Sequence, residues 1–510
     1  MKSMERSGGN QNAPSSVPFQ DAESPLILAL DVGTSSSRAV LFDRLGRAVD
    51  GVEGREDDAI QTTAAGAAEI DPDVLVERVW SCLDEALNQA GELRARIAGV
   101  GVCTFVGNVL GVDHHGQSVT PLITYADTRS TREAAQLREE LDEEAVHQRT
   151  GCLLHTSYLP ARFLWLARSR PTLFQRADRW ISIAEYMELQ LFGETAVSYS
   201  VASWTGLLDR QRLVWDQPLL AALPLTQGEL SPLTDVAEPR RGLRPRFIDR
   251  WPALREVPWF PAVGDGAAAN VGSGCTCPTR IALTVGTTSA VRLLTEQEVE
   301  RVPDGLWCYR VDRDRSLPGG ALSEGGNVFA WMTDVLQPAA PSGLDAALAA
   351  MEPDAHGLTV LPFLTGERSP GWVGDARGTL HGLSLATTPL EILRAGMEAV
   401  AYRLGFIFDL MQPLLPDRVQ VVGSGGALLN SPTWSQIVAD VLGRPLALSH
   451  VGEASARGAA LLALEAMGAL DDISAAPSFI GEPRMPDEDR HRQYRAAMKR
   501  QKMLYEKLLN

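Results

Sequence analysis

The chain has 510 residues, 45% hydrophobic and 22% charged, a balance that suits a folded protein with a large core. Its formal net charge of −17 argues against nucleic acid or an anionic membrane as partner, and no apolar run reaches the length of a membrane span. The only lysines are Lys2, Lys499, Lys502 and Lys507, all near the termini, which excludes P-loop, protein-kinase and Schiff-base chemistry, each of which needs a core lysine.

Residues 1–24 are rich in Ser, Asn, Gln, Gly and Pro and are expected to form a disordered tail. They lack the basic-then-apolar pattern of a signal peptide. The six cysteines, Cys82, Cys103, Cys152, Cys275, Cys277 and Cys308, show no metal or redox spacing. A reducing, cytoplasmic location is expected.

Leu26 to Asp43, LILALDVGTSSSRAVLFD, reads as two apolar strands joined by a short polar turn. Gly33, Thr34 and Ser35 in that turn offer N–H and hydroxyl donors, a pattern suited to phosphate oxygens. Asp31 would repel phosphate directly, so its expected use is to hold a hydrated Mg²⁺ shared with the phosphates. Gly46 to Glu56 is expected to add a third antiparallel strand. Asp71 to Asn88 reads as a helix with Asp71 as N-cap and Pro72 in its first turn. Ile97 to Gly101 and Val109 to Val112 read as strands, with Val106-Gly107-Asn108 between them.

Tyr125, Asp127 and Arg129 place an aromatic ring, a carboxylate and a guanidinium within five residues, a set able to bind a polyol. A surface Asp–Arg pair at a helix start fits the same residues. Thr131 to Glu144 reads as one charged helix, and His155 after it is a candidate ligand contact. Phe163 to Arg168 and Ala184 to Leu191 read as helices, and Pro218 to Pro258 as an irregular approach to a domain boundary. There Val263-Gly264-Asp265-Gly266 leads into a small-residue helix, and Asp265 is placed to accept a hydroxyl proton as that oxygen attacks a phosphate.

Ile281 to Leu294, IALTVGTTSAVRLL, then repeats LALDVGTSSSRAVL of Leu28 to Leu41. Gly286, Thr287 and Thr288 restore the donor-rich turn, but Thr284 stands where the first copy has Asp31. One repeat about half a chain length later means two similar domains, expected at 25–260 and 261–510. Further on, Gly326 opens a glycine-lined helix, and Thr388-Pro389-Leu390-Glu391 is a capping box. A strand from Val419 runs into Gly425, Gly426 and Asn430 and then a Ser431-Pro432 helix start, a strand–turn–helix geometry suited to a nucleotide.

Taken in order, DVGTSSSRAV, VGDGAAANVGSG, LTVGTTS and VVGSGGALLNSPTWSQIVADVLG resemble the motifs of the FGGY family of carbohydrate kinases, over roughly Leu26 to Gly468. The resemblance implies an α/β fold of two similar actin-like, RNase H-like domains around a central cleft, as in the sugar kinase, Hsp70 and actin superfamily. It implies ATP and Mg²⁺ as cofactors and a small sugar, sugar acid or polyol as substrate. Asp265 would be the general base and, with Asp31, would face the metal. Gly33, Thr34, Ser35, Gly286, Thr287, Thr288, Gly326, Gly425, Gly426 and Asn430 would border ATP. Asn108, Tyr125, Asp127, Arg129, His155 and Asp265 would face the substrate. YADTRS and TGCLLHTSYLPARFLWL look most like gluconokinase-type members. Gly107 departs from them: gluconokinases and xylulokinases carry a histidine there, and its loss is expected to leave space for a larger substrate. A conformational or filament ATPase of the same superfamily is the alternative. The sequence leaves a homodimer open.

Overall fold

The structure, a computed structural model, describes residues 14–338 and 343–509. Two six-stranded sheets form its centre. The first runs in the order Ser16–Val17, Ala48–Asp57, Ser36–Phe42, Leu26–Val32, Ile97–Thr104 and Val263–Gly264. The second runs Trp307–Arg310, Ser316–Leu322, Ser289–Leu293, Arg280–Val285, Gln420–Ser424 and Leu446–Leu448. In each, the donor-rich hairpin is extended by a third antiparallel strand beside its second strand, Trp307–Arg310 adding an outer edge in the second sheet, and two parallel strands follow beside the hairpin's first strand. The sequence repeat is therefore a repeat of topology. Among the described residues, no helix is long and apolar enough to cross a membrane.

The all-apolar run Leu26 to Leu30 has both faces covered, and all five residues are fully buried. Leu26, Leu28 and Leu30 join a core with Val79, Trp80 and Leu83 of the helix Pro72–Ala90. Ile27 and Ala29 join a second core with Ala267, Ala268, Ala459 and Ala460. Asp71 caps the Pro72–Ala90 helix by accepting from the N–H groups of Asp73 and Val74. The capping box at Thr388 forms as expected and opens the helix Pro389–Met411.

Three expectations change. Residues 14–24 of the expected tail are ordered: Ser16–Val17 pair in parallel with Ala48 and Val49, and Val17 is buried, which offsets the cost of ordering a polar segment. Residues 1–13 lie outside the described residues. The span Thr131 to Glu144 is not one helix but parts of two, Thr131–Glu140 and Glu143–Thr150, because Asp142 caps the second by accepting from the Ala145 N–H. The first sheet also extends past the expected boundary at 260/261. Val263–Gly264 pairs with Cys103 and Thr104, and the late helix Ala454–Ala466 packs back on that sheet.

That return rests on backbone contact between the helices Asp265–Gly272 and Ala454–Ala466. A Cβ on Gly272 would lie 1.8 Å from the Ala454 carbonyl oxygen, and one on Gly458 would lie 1.9 Å from that of Ala268. Buried Arg457 completes the joint, donating to the carbonyls of Gly46, Gly272 and Pro477. Gly458→Ala should therefore push the helices apart and cost about 1–3 kcal/mol, read as a lower urea midpoint. Gly452→Ala, where a Cβ meets nothing within 4 Å, should leave the midpoint unchanged.

Candidate active site

The two hairpin turns close alike. The Gly33 N–H donates to the Ser36 carbonyl at 3.0 Å, and the Gly286 N–H to the Thr288 carbonyl at 2.9 Å. Ser35, Thr287 and Thr288 are exposed at the tips, and Thr34 is half-buried. The second turn is the hub of a glycine-lined wall. The Gly326 N–H donates to the Gly286 carbonyl at 2.7 Å, and the Asn327 N–H to that of Thr287 at 3.3 Å. Gly425 runs so close that a Cβ there would sit 2.5 Å from the Val285 carbonyl oxygen. Gly426 and Asn430 follow, both exposed. The structure thus brings Gly286, Thr287, Gly326 and Gly425 together, with Gly426 and Asn430 leading on from them.

Sheet register brings the two acids together. Asp31 lies opposite Cys103, and Cys103 lies opposite Val263, so Asp265 follows two residues later on the same edge. Asp265 is the first residue of its helix and accepts from the Gly266 N–H at 2.7 Å. Burial raises its carboxyl above the usual range, opposed by that hydrogen bond and by Arg292 and Arg368. Burial also raises Asp31, to about 7, with the charge of Asp265 adding to it and a hydrogen bond from the Cys103 thiol, at 3.3 Å, opposing it. At the matching place in the second hairpin, Thr284 bonds the Ser424 hydroxyl at 2.9 Å. Two half-buried carboxylates, with no lysine near them among the described residues, are hard oxygen donors for a divalent cation, and this donor set fits Mg²⁺.

The residues expected to face the substrate divide. Tyr125 is 39% exposed, its hydroxyl lying near Thr34 and within the field of Asp265. His155 accepts the Ser157 N–H on Nδ1 at 3.1 Å, so the neutral ring carries its proton on Nε2. Burial is the first cause that pulls its pKa to about 3, with Arg368 and Arg138 adding to it, and Trp372 meets the ring edge-on at 5.1 Å. Asp127, Arg129 and Asn108 do not meet the expectation. Asp127 is 1% exposed and accepts from the Ala68 N–H and from the Arg129 backbone and side chain. Arg129 also pairs with Glu69 and lies 4.2 Å over the Trp165 ring. The buried Asn108 amide donates to the Phe105 carbonyl and accepts from the Ile183 N–H. These three side chains are engaged by partners in their own loops and in distant segments.

Gly107 is closely flanked. Its φ is +66°, a conformation that a β-carbon disfavours. An added Cβ would meet the Ser157 carbonyl oxygen at 3.0 Å and the Tyr125 Cβ at 3.1 Å. The loops of Ser157 and Tyr125 thus close in on Gly107, which the sequence alone cannot show.

Two arginines were not anticipated. Arg292 stands in the strand Ser289–Leu293, and its Nε lies 3.4 Å from where a Cβ on Gly266 would be. Arg368 belongs to the loop Glu367 to Trp372, held by the Ser369 N–H on the Ala321 carbonyl and the Trp372 N–H on that of Arg368. Among the described residues neither arginine forms an ion pair within 4 Å, and each Nε is buried without a hydrogen-bond partner. The sequence signals were a charge inside the apolar run Ala290 to Leu294, and Glu-Arg between a glycine and a proline.

Comparison with known proteins agrees with this geometry. Residues 26–272 match the family model for the N-terminal domain of the FGGY family of carbohydrate kinases, and residues 281–467 match that for its C-terminal domain. The chain is 28% identical to a gluconokinase of Bacillus subtilis (strain 168), covering 92% of this chain and 94% of the relative. It is 30% identical to a glycerol kinase of Stenotrophomonas maltophilia (strain R551-3), covering 87% and 90%. The solved structure of a ligand-bound xylulose kinase from Lactobacillus acidophilus superposes with a TM-score of 0.86 at 24% identity, covering 95% of this chain and 98% of that one. With paired hairpins, a shared acidic edge and both family domains in order, this chain belongs to the FGGY family of carbohydrate kinases and is a phosphotransferase.

Proposed function

We propose that the protein transfers the terminal phosphoryl group of ATP to a hydroxyl of a small sugar or sugar acid. The observation that carries this reading is the meeting of Asp31 and Asp265 on one edge of the first sheet, beside the first hairpin turn. The family relatives, gluconokinase and glycerol kinase among them, support the acceptor class. They do not favour the filament or conformational ATPase that the hairpins alone would allow.

Each residue then has a task. The turns Gly33 to Ser35 and Gly286 to Thr288 present N–H and hydroxyl donors to the phosphates, and the wall of Gly326, Gly425, Gly426 and Asn430 receives the nucleoside. Asp31, with Asp265, would hold Mg²⁺, which when bound offsets phosphate charge. Asp265 takes the proton from the acceptor hydroxyl as that oxygen attacks the phosphorus in line. Burial raises the proton affinity of its carboxyl, and the Gly266 N–H fixes one of its oxygens. Tyr125 and the Nε2–H of neutral His155 serve the acceptor's hydroxyls and C–H face.

Asp265→Asn should keep ATP affinity within a few-fold and lower sugar-dependent ATP consumption by on the order of 10² to 10⁴. Near-normal turnover would remove Asp265 from the mechanism. Asp31→Ala should raise the Mg²⁺ concentration needed for half-maximal rate more than Thr284→Ala does, since only the first hairpin carries a carboxylate. Superimposable Mg²⁺ titrations of the two variants would contradict that asymmetry.

A further inference from the structure

Arg292 and Arg368 pose a physical problem that the phosphoryl-transfer steps leave unsolved. Both side chains are half-buried, each Nε is shielded from water without a hydrogen-bond partner, and neither guanidinium forms an ion pair with any described residue, so each stands ready for an anion. Two carboxyls share the neighbourhood of Arg368. Glu367 is bound to Arg403 and to the Tyr505 hydroxyl. Glu324 is fully buried, accepts no hydrogen bond on either side-chain oxygen and is pushed up to about 8, which leaves it neutral near pH 7. The remaining acid is Asp265, whose field both arginines share but which pairs with neither.

The loop that carries Arg368 faces the acceptor side. Four residues on, Trp372 lies 5.1 Å from the His155 ring and 6.1 Å from that of Tyr158. Arg292 lies beside Gly266, next to the base. Arg129, the cation of the polyol set read from the sequence, is spent on Asp127 and Glu69. We propose that the acceptor is an anionic sugar acid of the aldonate class, and that Arg368 holds its carboxylate while Arg292, beside the base, adds its positive field. An aldonate carries its carboxylate and its terminal hydroxyl at opposite ends, so Arg368 fixes one end while Asp265 meets the other. A guanidinium fork suits a carboxylate by two parallel hydrogen bonds, which an uncharged polyol cannot replace.

This assignment rests on the kinase reading above, and the test separates the two. Steady-state kinetics are measured with four- to six-carbon aldonates and with the alditols of the same length, on wild type, Arg368→Gln, Arg368→Lys and Arg292→Gln. Wild type should prefer its best aldonate over the matching alditol by on the order of 10² in kcat/KM. Arg368→Gln should raise the aldonate KM by about tenfold or more, with the KM for ATP and the melting temperature little changed, and Arg368→Lys should recover part of the loss. Arg292→Gln should act in the same direction, with its melting temperature as the control for folding. Alditols or neutral sugars used as well as aldonates would overturn the arginine assignment and leave the kinase reading intact. So would a fall in kcat for acidic and neutral acceptors alike with KM unchanged. Absence of ATP turnover with every acceptor would overturn both.

Discussion

Bringing two half-buried carboxylates together on one sheet edge is the constraint around which this protein is built. Water is withdrawn from Asp31 and Asp265, and the charge of Asp265 adds to burial in raising Asp31. In water such a pair would cost little, but where water is partly withdrawn the charged forms need cations or hydrogen-bond donors. Among the described residues neither a lysine nor an arginine paired to either acid stands at that edge; there are the Gly266 N–H, the Cys103 thiol and the fields of Arg292, Arg368 and Arg38, the last itself paired with Glu453. The site is thus left electrostatically incomplete, and on the proposed reading Mg²⁺ and the acceptor hydroxyl's proton would complete it.

The duplicated fold makes such a site possible and then breaks its own symmetry. Both sheets end in the same turn, and parallel strands flank both hairpins on the same side. Where the first copy places Asp31 against Cys103, the second places Thr284 against Ser424, a neutral hydroxyl pair that satisfies itself. One half is charged and expectant of metal, the other neutral and lined with glycine. The helix Ala454–Ala466, returning to the first sheet through backbone contact at Gly272 and Gly458, joins the halves on the face behind the acids.

What the sequence disclosed follows from how local each signal is. The hairpins, the Asp71 cap, the Thr388 capping box and the Gly264-Asp265-Gly266 turn depend on residues close in the chain, and each stands where it was expected. The acceptor wall depends on what distant loops do to one another. Asp127 and Arg129 have the chemistry of a polyol site, yet Glu69, Ala68 and Trp165 claim them from other segments. Asn108 is claimed by Ile183, and the space beside Gly107 by Ser157 and Tyr125. Arg292 and Arg368 stand far apart in the chain and come to share the field of Asp265 only when the second half of the chain folds against the first. Composition misled at the tail as well, since a two-residue pairing at Ser16–Val17 is too short to register as a strand pattern.

The most direct test of the account is the fate of the phosphoryl group. ATP, Mg²⁺ and a panel of aldonates and neutral sugars are incubated with the protein and followed by ³¹P NMR. The account predicts that, with an accepted sugar, one phosphomonoester appears for each ADP formed, and that without an acceptor ATP is consumed only slowly. Inorganic phosphate released at the same rate with or without any sugar would contradict it, and would show an ATPase whose buried acids serve some purpose other than activating a hydroxyl.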